Sequence, residues 1–152
     1  MRTRGLDLLT VASGLMALST WACADQLDIT LASSHSTAGY WSQDGKTYRE
    51  YNEVNLGVIY TWDNGVVAGL VHNSYDELAL MTGYTLQSDL GCCLNFGITA
   101  GIATGYEQLT GHEVSPMVMP FMTFGPDVFR FKVGLTPGTT GATTVFMLNT
   151  VF

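Results

Sequence analysis

The chain has 152 residues, of which 47% are hydrophobic and only 12% are charged, and its formal net charge is −7. This length suits one domain rather than two, and the acidic balance excludes a nucleic-acid-binding protein, which needs a basic surface. Soluble domains carry roughly 25% charged residues, so the low charge favours a protein whose surface meets lipid.

The N-terminus has the three-part order of an export signal. Two arginines precede an apolar run over residues 8–21, and Ala22-Cys23-Ala24 follows it as a cleavage site. The run is shorter than the roughly 20 apolar residues that a membrane helix needs. We therefore expect a removable signal peptide over 1–24 and one barrel domain over 25–152, with a buried N-terminal helix as the alternative.

Turn signals divide residues 25–152 into eight segments, most of them as long as a tilted membrane strand. Asp63-Asn64-Gly65 predicts a tight hairpin between the second and third segments, and Gly125-Pro126-Asp127 predicts a turn between the sixth and seventh. No segment is long and apolar enough for a membrane helix. The predicted strands lie near 27–36, 51–62, 65–73, 77–87, 93–104, 115–124, 127–136 and 142–152.

Alternation along these strands separates two faces, because neighbouring side chains of a strand point to opposite sides. Leu56, Phe96 and Phe131 belong to a bulky apolar face, which in a membrane barrel meets lipid. A soluble lipocalin-like barrel would show the reverse alternation. The pattern predicts an eight-stranded antiparallel transmembrane β-barrel in the outer membrane of a Gram-negative cell. Its terminal Phe152 lies on the lipid face, as is typical of substrates of the barrel assembly machinery.

The opposite face, which lines the predicted lumen, consists largely of small residues. A barrel of eight strands has room for packed side chains or for one small ligand. The small residues therefore indicate either an apolar slot for an alkyl chain or close packing with glycines that permit curvature. Val128, Arg130 and Lys132 are also predicted to face inward, where the two charges form a polar floor or plug the slot. The small inner positions are Gly57, Ala79, Gly83, Thr85, Gly97, Thr99, Gly101 and Ala103.

Two polar residues from distant parts of the sequence are predicted to meet at one rim of the barrel. His35 ends the first strand and Ser74 ends the third, on the side of the longer loops. By strict alternation, both side chains would point outward with their apolar neighbours. A bulge at the rim can turn such a residue inward. The longer loops are predicted at 37–50, 74–76, 105–114 and 137–141.

Several short motifs follow one another across most of the chain. They are Tyr51-Asn52-Glu53, Asn73-Ser74-Tyr75, Gly97-Ile98-Thr99-Ala100-Gly101, Pro116-Met117-Val118-Met119-Pro120 and Thr136-Pro137-Gly138-Thr139. In order and spacing, the stretch from His35 to Phe152 resembles the outer-membrane lipid A palmitoyltransferase family. Asn73-Ser74-Tyr75 lies where that family has the motif D-S-W.

The resemblance implies a barrel that transfers a palmitoyl-type acyl chain from a phospholipid to lipid A of lipopolysaccharide. The sequence has no metal-ligand spacing such as C-x-x-C, and we expect no metal and no cofactor. The resemblance further implies catalytic positions at His35, Asn73 and Ser74. Acyl transfer needs a base and a donor that stabilises the oxyanion, and an amide does not stabilise an imidazolium as a carboxylate does. On this interpretation Asn73→Asp is expected to raise the activity.

The resemblance also implies a set of substrate contacts. Pro120 and Pro137 are expected to weaken strand pairing and to admit lipid sideways. Thr85 replaces a glycine of the family and is expected to shorten the slot that Gly83, Gly97 and Gly101 line, so that a shorter acyl chain is favoured. The alternative function is a non-enzymatic small outer-membrane barrel that acts as a surface shield, an adhesion protein or a lipid-binding protein.

Overall fold

The computed structural model describes residues 24–42, 45–90, 93–126, 128–138 and 141–152. The predicted signal peptide lies outside the described residues, apart from Ala24. The described chain forms ten strands and one short helix. These are β1 (Gln26–His35), β2 (Gly39–Trp41), β3 (Tyr48–Glu50), β4 (Gly57–Thr61), β5 (Val66–His72), β6 (Leu78–Asp89), β7 (Leu94–Thr104), α1 (Glu107–Thr110), β8 (Val114–Phe124), β9 (Arg130–Gly138) and β10 (Gly141–Val151).

Eight of these strands form a closed antiparallel barrel, as predicted, in the order β1-β10-β9-β8-β7-β6-β5-β4. The barrel closes through β1, where Gln26 pairs with Val151 of β10 on one side and with Thr61 of β4 on the other. Because the barrel is closed, each of its strands has a paired neighbour on both sides. The connections β1–β4, β5–β6, β7–β8 and β9–β10 lie at one end, the loop end. The other connections and both described termini lie at the turn end.

The two faces of the barrel follow the predicted alternation. Leu56, Phe96 and Phe131 are exposed and point away from the barrel, whereas Asn55 and Thr99 are buried. The periodicity of two therefore predicts the direction of most side chains correctly. Val128 is an exception: it is 78% exposed, because it belongs to the turn that precedes β9.

A bulge in β1 turns His35 toward the lumen. The register with β10 pairs Thr30 with Met147 and then Ala32 with Phe146, so that Leu31 is an extra residue. An extra residue shifts the alternation by one position, so that each later residue of the strand points to the opposite face. Ser33 is consequently buried while Ser34 is exposed, and His35 lines the lumen rather than the outer surface.

The predicted second strand, 51–62, is too long. The strand β4 covers only Gly57–Thr61, and residues 51–56 form an irregular segment at the loop end. Two backbone bonds hold this segment to β1, from Ser33 N to Glu53 O (2.8 Å) and from Asn55 N to Leu31 O (3.3 Å). The segment therefore follows the bulged part of β1 without continuing the regular ladder.

Two predicted loops contain secondary structure of their own. The loop 37–50 contains the hairpin of β2 and β3, in which Tyr40 pairs with Arg49. The loop 105–114 contains the helix α1. Tyr40 Oη donates a hydrogen bond to Gln108 Oε1 (3.0 Å), so that the hairpin is joined to α1 across the loop end.

The middle of the lumen is apolar and is filled mainly by methionine. Met81, Met119 and Met147 are at most 6% exposed and form one cluster with Ile59 and Val67. We call Met81, Met119 and Met147 the methionine layer. Methionine fills irregular spaces well because its side chain is unbranched.

A polar floor lies between the methionine layer and the turn end. Lys132 Nζ donates a hydrogen bond to Asp28 Oδ2 at 2.6 Å and lies 4.2 Å from the centre of the Phe121 ring. Asn149 Nδ2 donates to the other carboxylate oxygen of Asp28 at 2.7 Å. Arg130 is also buried in the lumen. The inward charges therefore form a packed floor rather than a plug that fills the whole barrel.

Asp28→Asn should lower the free energy of unfolding by about 3–5 kcal/mol, because Lys132 would keep a buried charge without a partner. Equilibrium unfolding in urea measures this loss. Asp28→Asn combined with Lys132→Met should recover most of it, since an apolar side chain replaces the orphaned charge. The matched control is Asp63→Asn at the exposed turn, and an equal loss in both single variants would contradict the prediction.

Candidate functional site

The lumen is hollow between the methionine layer and the loop end. The cavity there has a volume of about 180 Å³, which is roughly 12 to 18 times the 10–15 Å³ that one water needs. The methionine layer and apolar side chains of β6, β7 and β10 form its lower part, and polar side chains surround its mouth. Such a cavity suits an amphiphile with an alkyl chain below and a polar group above. The polar residues that line the cavity include Ser33, His35, Asn55, Asn73 and Ser74.

The barrel wall is open between β8 and β9 near the loop end. These strands pair only from Phe121 with Gly134 to Phe124 with Phe131. Pairing therefore stops next to Pro120, which has no backbone N–H to donate. Pro116 is exposed on the outer face and nevertheless lines the cavity. The cavity thus opens sideways through this gap as well as at the loop end.

His35 lies at the mouth of the cavity and stacks on Tyr51. The two ring centroids are 3.9 Å apart, and their planes differ by 8°. His35 Nδ1 is buried and has no hydrogen-bond partner among the described residues. In a catalytic triad a carboxylate on this nitrogen fixes the imidazole tautomer. Here stacking fixes the plane of the ring, and the described protein leaves the tautomer free.

Ser74 belongs to a ring of three hydrogen-bonded side chains, which we call the polar ring. Ser33 Oγ donates to Asn55 Oδ1, Asn55 Nδ2 donates to Ser74 Oγ at 3.2 Å, and the two serine oxygens lie 3.0 Å apart. All three side chains are at most 9% exposed. Ser74 shares the cavity mouth with His35, but none of the described hydrogen bonds joins the two.

The side chain of Asn73 is bound to loop backbone and not to His35. Asn73 Oδ1 accepts hydrogen bonds from the backbone N–H of Tyr75 (2.9 Å) and Glu77 (3.0 Å), and its Nδ2 donates to the carbonyl oxygen of Gly105. One amide therefore shapes the β5–β6 turn and ties it to the end of β7. This structural role of Asn73 needs a side chain that both donates and accepts hydrogen bonds.

Four tyrosines pack together around the mouth. Tyr75 is their centre, with ring centroids 4.6 Å from Tyr40, 5.6 Å from Tyr51 and 5.9 Å from Tyr106. Burial raises the pKa of the Tyr75 and Tyr106 phenols, so both are neutral near pH 7. The cluster holds the β2–β3 hairpin, through Tyr40, against the barrel.

Of the six predicted substrate contacts, Pro137 lines the cavity and Pro120 lies at the edge of the side opening. The three glycines do not line the cavity. A Cβ on Gly97 would meet the Phe121 ring at 2.3 Å, and a Cβ on Gly83 or Gly101 would meet the neighbouring backbone within 2.2 Å. The space beside these glycines is therefore packed, whereas Ala79 and Ala103, two of the other small inner residues, line the cavity.

Thr85 also lies outside the cavity. Its hydroxyl is hydrogen-bonded to that of Thr99 at 2.8 Å, and along β6 it is farther from the loop end than Met81. The methionine layer, rather than Thr85, ends the cavity. The sequence offers a weak signal for it, since Met81, Met119 and Met147 all have inward parity.

No protein-family model matches this chain, and no curated protein sequence matches it. None of the helices in the described part of the chain is long and apolar enough to cross a membrane. Within the described ranges, no three His, Cys, Asp or Glu side chains are grouped so that they could hold a metal ion. The geometry of the mouth and cavity is therefore the basis for a functional assignment.

Asn73→Asp should destabilise the loop end, because a carboxylate cannot donate to the carbonyl oxygen of Gly105. An unmade hydrogen bond to a buried acceptor costs about 1–3 kcal/mol, measurable as a lower midpoint of urea unfolding. The sequence alone predicts the opposite effect, a higher activity, because Asn73→Asp would give His35 a carboxylate partner. The control is Asn64→Asp, because Asn64 Oδ1 accepts from Val66 N and an aspartate keeps that bond. Higher stability or higher activity of Asn73→Asp would contradict the assignment.

Proposed function

We propose that the barrel lies in the outer membrane with its outer face in lipid. No Asp, Glu, Lys or Arg occupies an outward position on the eight barrel strands among the side chains described. Leu70, Leu80 and Ile98 are at least 40% exposed and belong to an apolar band around the barrel. Water-exposed apolar patches of that extent are rare on soluble monomers, whereas a lipid-facing barrel requires them.

The aromatic residues at the turn end support this location. Tyr60 packs on Trp62 and on Phe152, with ring centroids 5.0 Å and 6.1 Å apart. Phe124 and Phe131 form a second pair at 5.7 Å. Membrane barrels carry such girdles where the hydrocarbon region meets the headgroups. The outward Phe152 fits recognition by the barrel assembly machinery.

We propose that the protein is an acyltransferase that moves an acyl chain from a phospholipid to lipid A of lipopolysaccharide. One observation carries the proposal: a cavity with an apolar interior, a polar mouth that holds His35 and Ser74, and an opening in the wall. The acyl chain of the donor enters between β8 and β9 and occupies the cavity above the methionine layer. Its ester then lies at the mouth.

The chemistry at the mouth is a direct transfer between two oxygens. His35 removes the proton from a lipid A hydroxyl, and the hydroxyl oxygen forms a bond to the ester carbonyl carbon. The tetrahedral intermediate collapses, the bond from that carbon to the glycerol oxygen breaks, and the imidazolium of His35 returns the proton to that oxygen. The products are a lysophospholipid and an acylated lipid A.

A non-enzymatic lipid-binding barrel is the second candidate. The observation that favours it is the lack of a described hydrogen-bond partner for His35 Nδ1, since enzymes of the triad type orient their base with a carboxylate on this nitrogen. On this alternative the cavity binds an acyl chain without transferring it. The two functions differ in whether lipid A gains mass in cells that produce the protein.

Expression of the protein should add one acyl chain to lipid A, detected by mass spectrometry. His35→Ala should lower this acylation by about 10²–10⁴-fold, and Ser74→Ala by about 10²–10³-fold. His72→Ala and Ser34→Ala are the matched controls, because neither residue lines the cavity. An unmodified lipid A in cells that produce the wild-type barrel would overturn the enzymatic proposal and leave the lipid-binding alternative.

The added acyl chain should be shorter than palmitate, because the methionine layer closes the cavity. Replacing Met147, which is 1% exposed, by alanine should deepen the cavity and shift the transferred chains to greater length. The acyl-chain distribution of lipid A measures the shift. Met122→Ala is the control on the outward side of β8. Transfer of palmitate alone by the wild type would refute the assigned depth.

A further inference from the structure

We propose that Asn55 and Ser33 are positioning residues that hold the Ser74 hydroxyl as a hydrogen-bond donor to the oxyanion, so that Ser74 is not a nucleophile. This inference rests on the proposed acyl transfer. It assigns a task to two residues that no sequence motif singles out and that come from different parts of the chain. They lie 22 residues apart, and Ser74 follows Asn55 by a further 19.

The hydrogen bonds of the polar ring run in one direction. Asn55 Nδ2 lies 3.3 Å from the backbone carbonyl oxygen of Asn52, which can only accept. This contact fixes the orientation of the amide, so Asn55 Oδ1 faces Ser33 and accepts its single hydroxyl proton. At the contact between the two serines, Ser74 must therefore be the donor and Ser33 the acceptor.

The polar ring contains no group that can take a proton from Ser74. Ser33 has a neutral hydroxyl and Asn55 a neutral amide, and neither is a base near pH 7. His35 is not hydrogen-bonded to Ser74 among the described residues. A nucleophilic serine needs an adjacent base to become reactive. The arrangement therefore favours Ser74 as a donor that keeps its proton.

The polar ring also makes Ser74 a better donor. An O–H group that accepts a hydrogen bond from an N–H group is polarised by it, because hydrogen bonds in a chain strengthen one another. When the tetrahedral intermediate forms, the Ser74 O–H rotates from Ser33 to the oxyanion, while the bond from Asn55 Nδ2 keeps Oγ in place. Proton removal and return remain with His35, and the acyl group is never bonded to the protein.

The backbone holds all three members of the polar ring at the mouth. Ser33 faces inward because of the bulge at Leu31, and the carbonyl oxygen of Ser74 accepts a bond from Asn52 N at 3.0 Å. Asn55 lies in the irregular segment between that contact and β4. The backbone N–H of Asn55 donates to the carbonyl oxygen of Leu31 (3.3 Å), which holds this part of the segment 51–56 against the bulge.

The test compares Asn55→Leu and Ser33→Ala with Asn64→Leu and Ser34→Ala in purified barrels that transfer acyl chains between lipids. Asn55→Leu has a similar size and removes the donor to Ser74 and the acceptor for Ser33 without adding a charge. Loss of one such bond should lower kcat about tenfold without changing the KM for the phospholipid. Asn64 and Ser34 lie outside the mouth, and their variants should retain the wild-type kcat.

A second measurement separates the donor from a nucleophile. An alkyl fluorophosphonate, which reacts with activated serines, should leave the mass of the wild-type protein unchanged. A Ser74 adduct would overturn the inference while leaving acyl transfer intact, and so would a wild-type kcat for Asn55→Leu. A higher KM with unchanged kcat would mark Asn55 as a general structural residue and would also overturn it. A wild-type barrel without transfer activity would overturn both this inference and the proposed function.

Discussion

Closure of the barrel is the constraint on which the other features depend. Eight strands that pair around a circle place every second side chain in a lumen just wide enough for packed side chains. Each departure from regular pairing then changes the interior directly. The bulge at Leu31 moves Ser33 and His35 to the inside, and the end of the β8–β9 ladder at Pro120 opens the wall. Both departures lie toward the loop end, and the cavity lies between them.

The interior is divided along the barrel axis because its polar groups need partners. Lys132 and Asp28 satisfy each other near the turn end, where an unpaired charge would be costly. The methionine layer separates this ion pair from the cavity, so that in the proposed function a bound acyl chain does not contact it. The methionine side chains therefore set the depth of the cavity. The glycines lie deeper in the lumen and do not set it, because neighbouring residues occupy the space beside them.

The sequence predicts the faces of the barrel better than it predicts contacts inside it. Alternation assigns Leu56, Phe96 and Phe131 to the outer face because strand periodicity reports direction. Alternation does not predict which side chain occupies the space next to Gly97. In the structure, the Phe121 ring of the neighbouring strand occupies it. The motif around Asn73 indicated a site residue, but its hydrogen bonds depend on Gly105, 32 positions away. No sequence motif marks Asn55, because only the fold brings it to Ser74.

Amides, rather than carboxylates, organise the mouth, and the proposed substrates give a physical reason. Asn55 and Asn73 each use the oxygen as acceptor and the nitrogen as donor, which a carboxylate cannot do. Both donor and acceptor lipids carry phosphate, and the protein already has a strong negative charge. An additional buried carboxylate beside the reacting ester would repel those phosphates and the developing oxyanion. A neutral polar ring orients Ser74 without that repulsion. In the proposed transfer, the positive charge that His35 gains on removing the proton then stabilises the oxyanion.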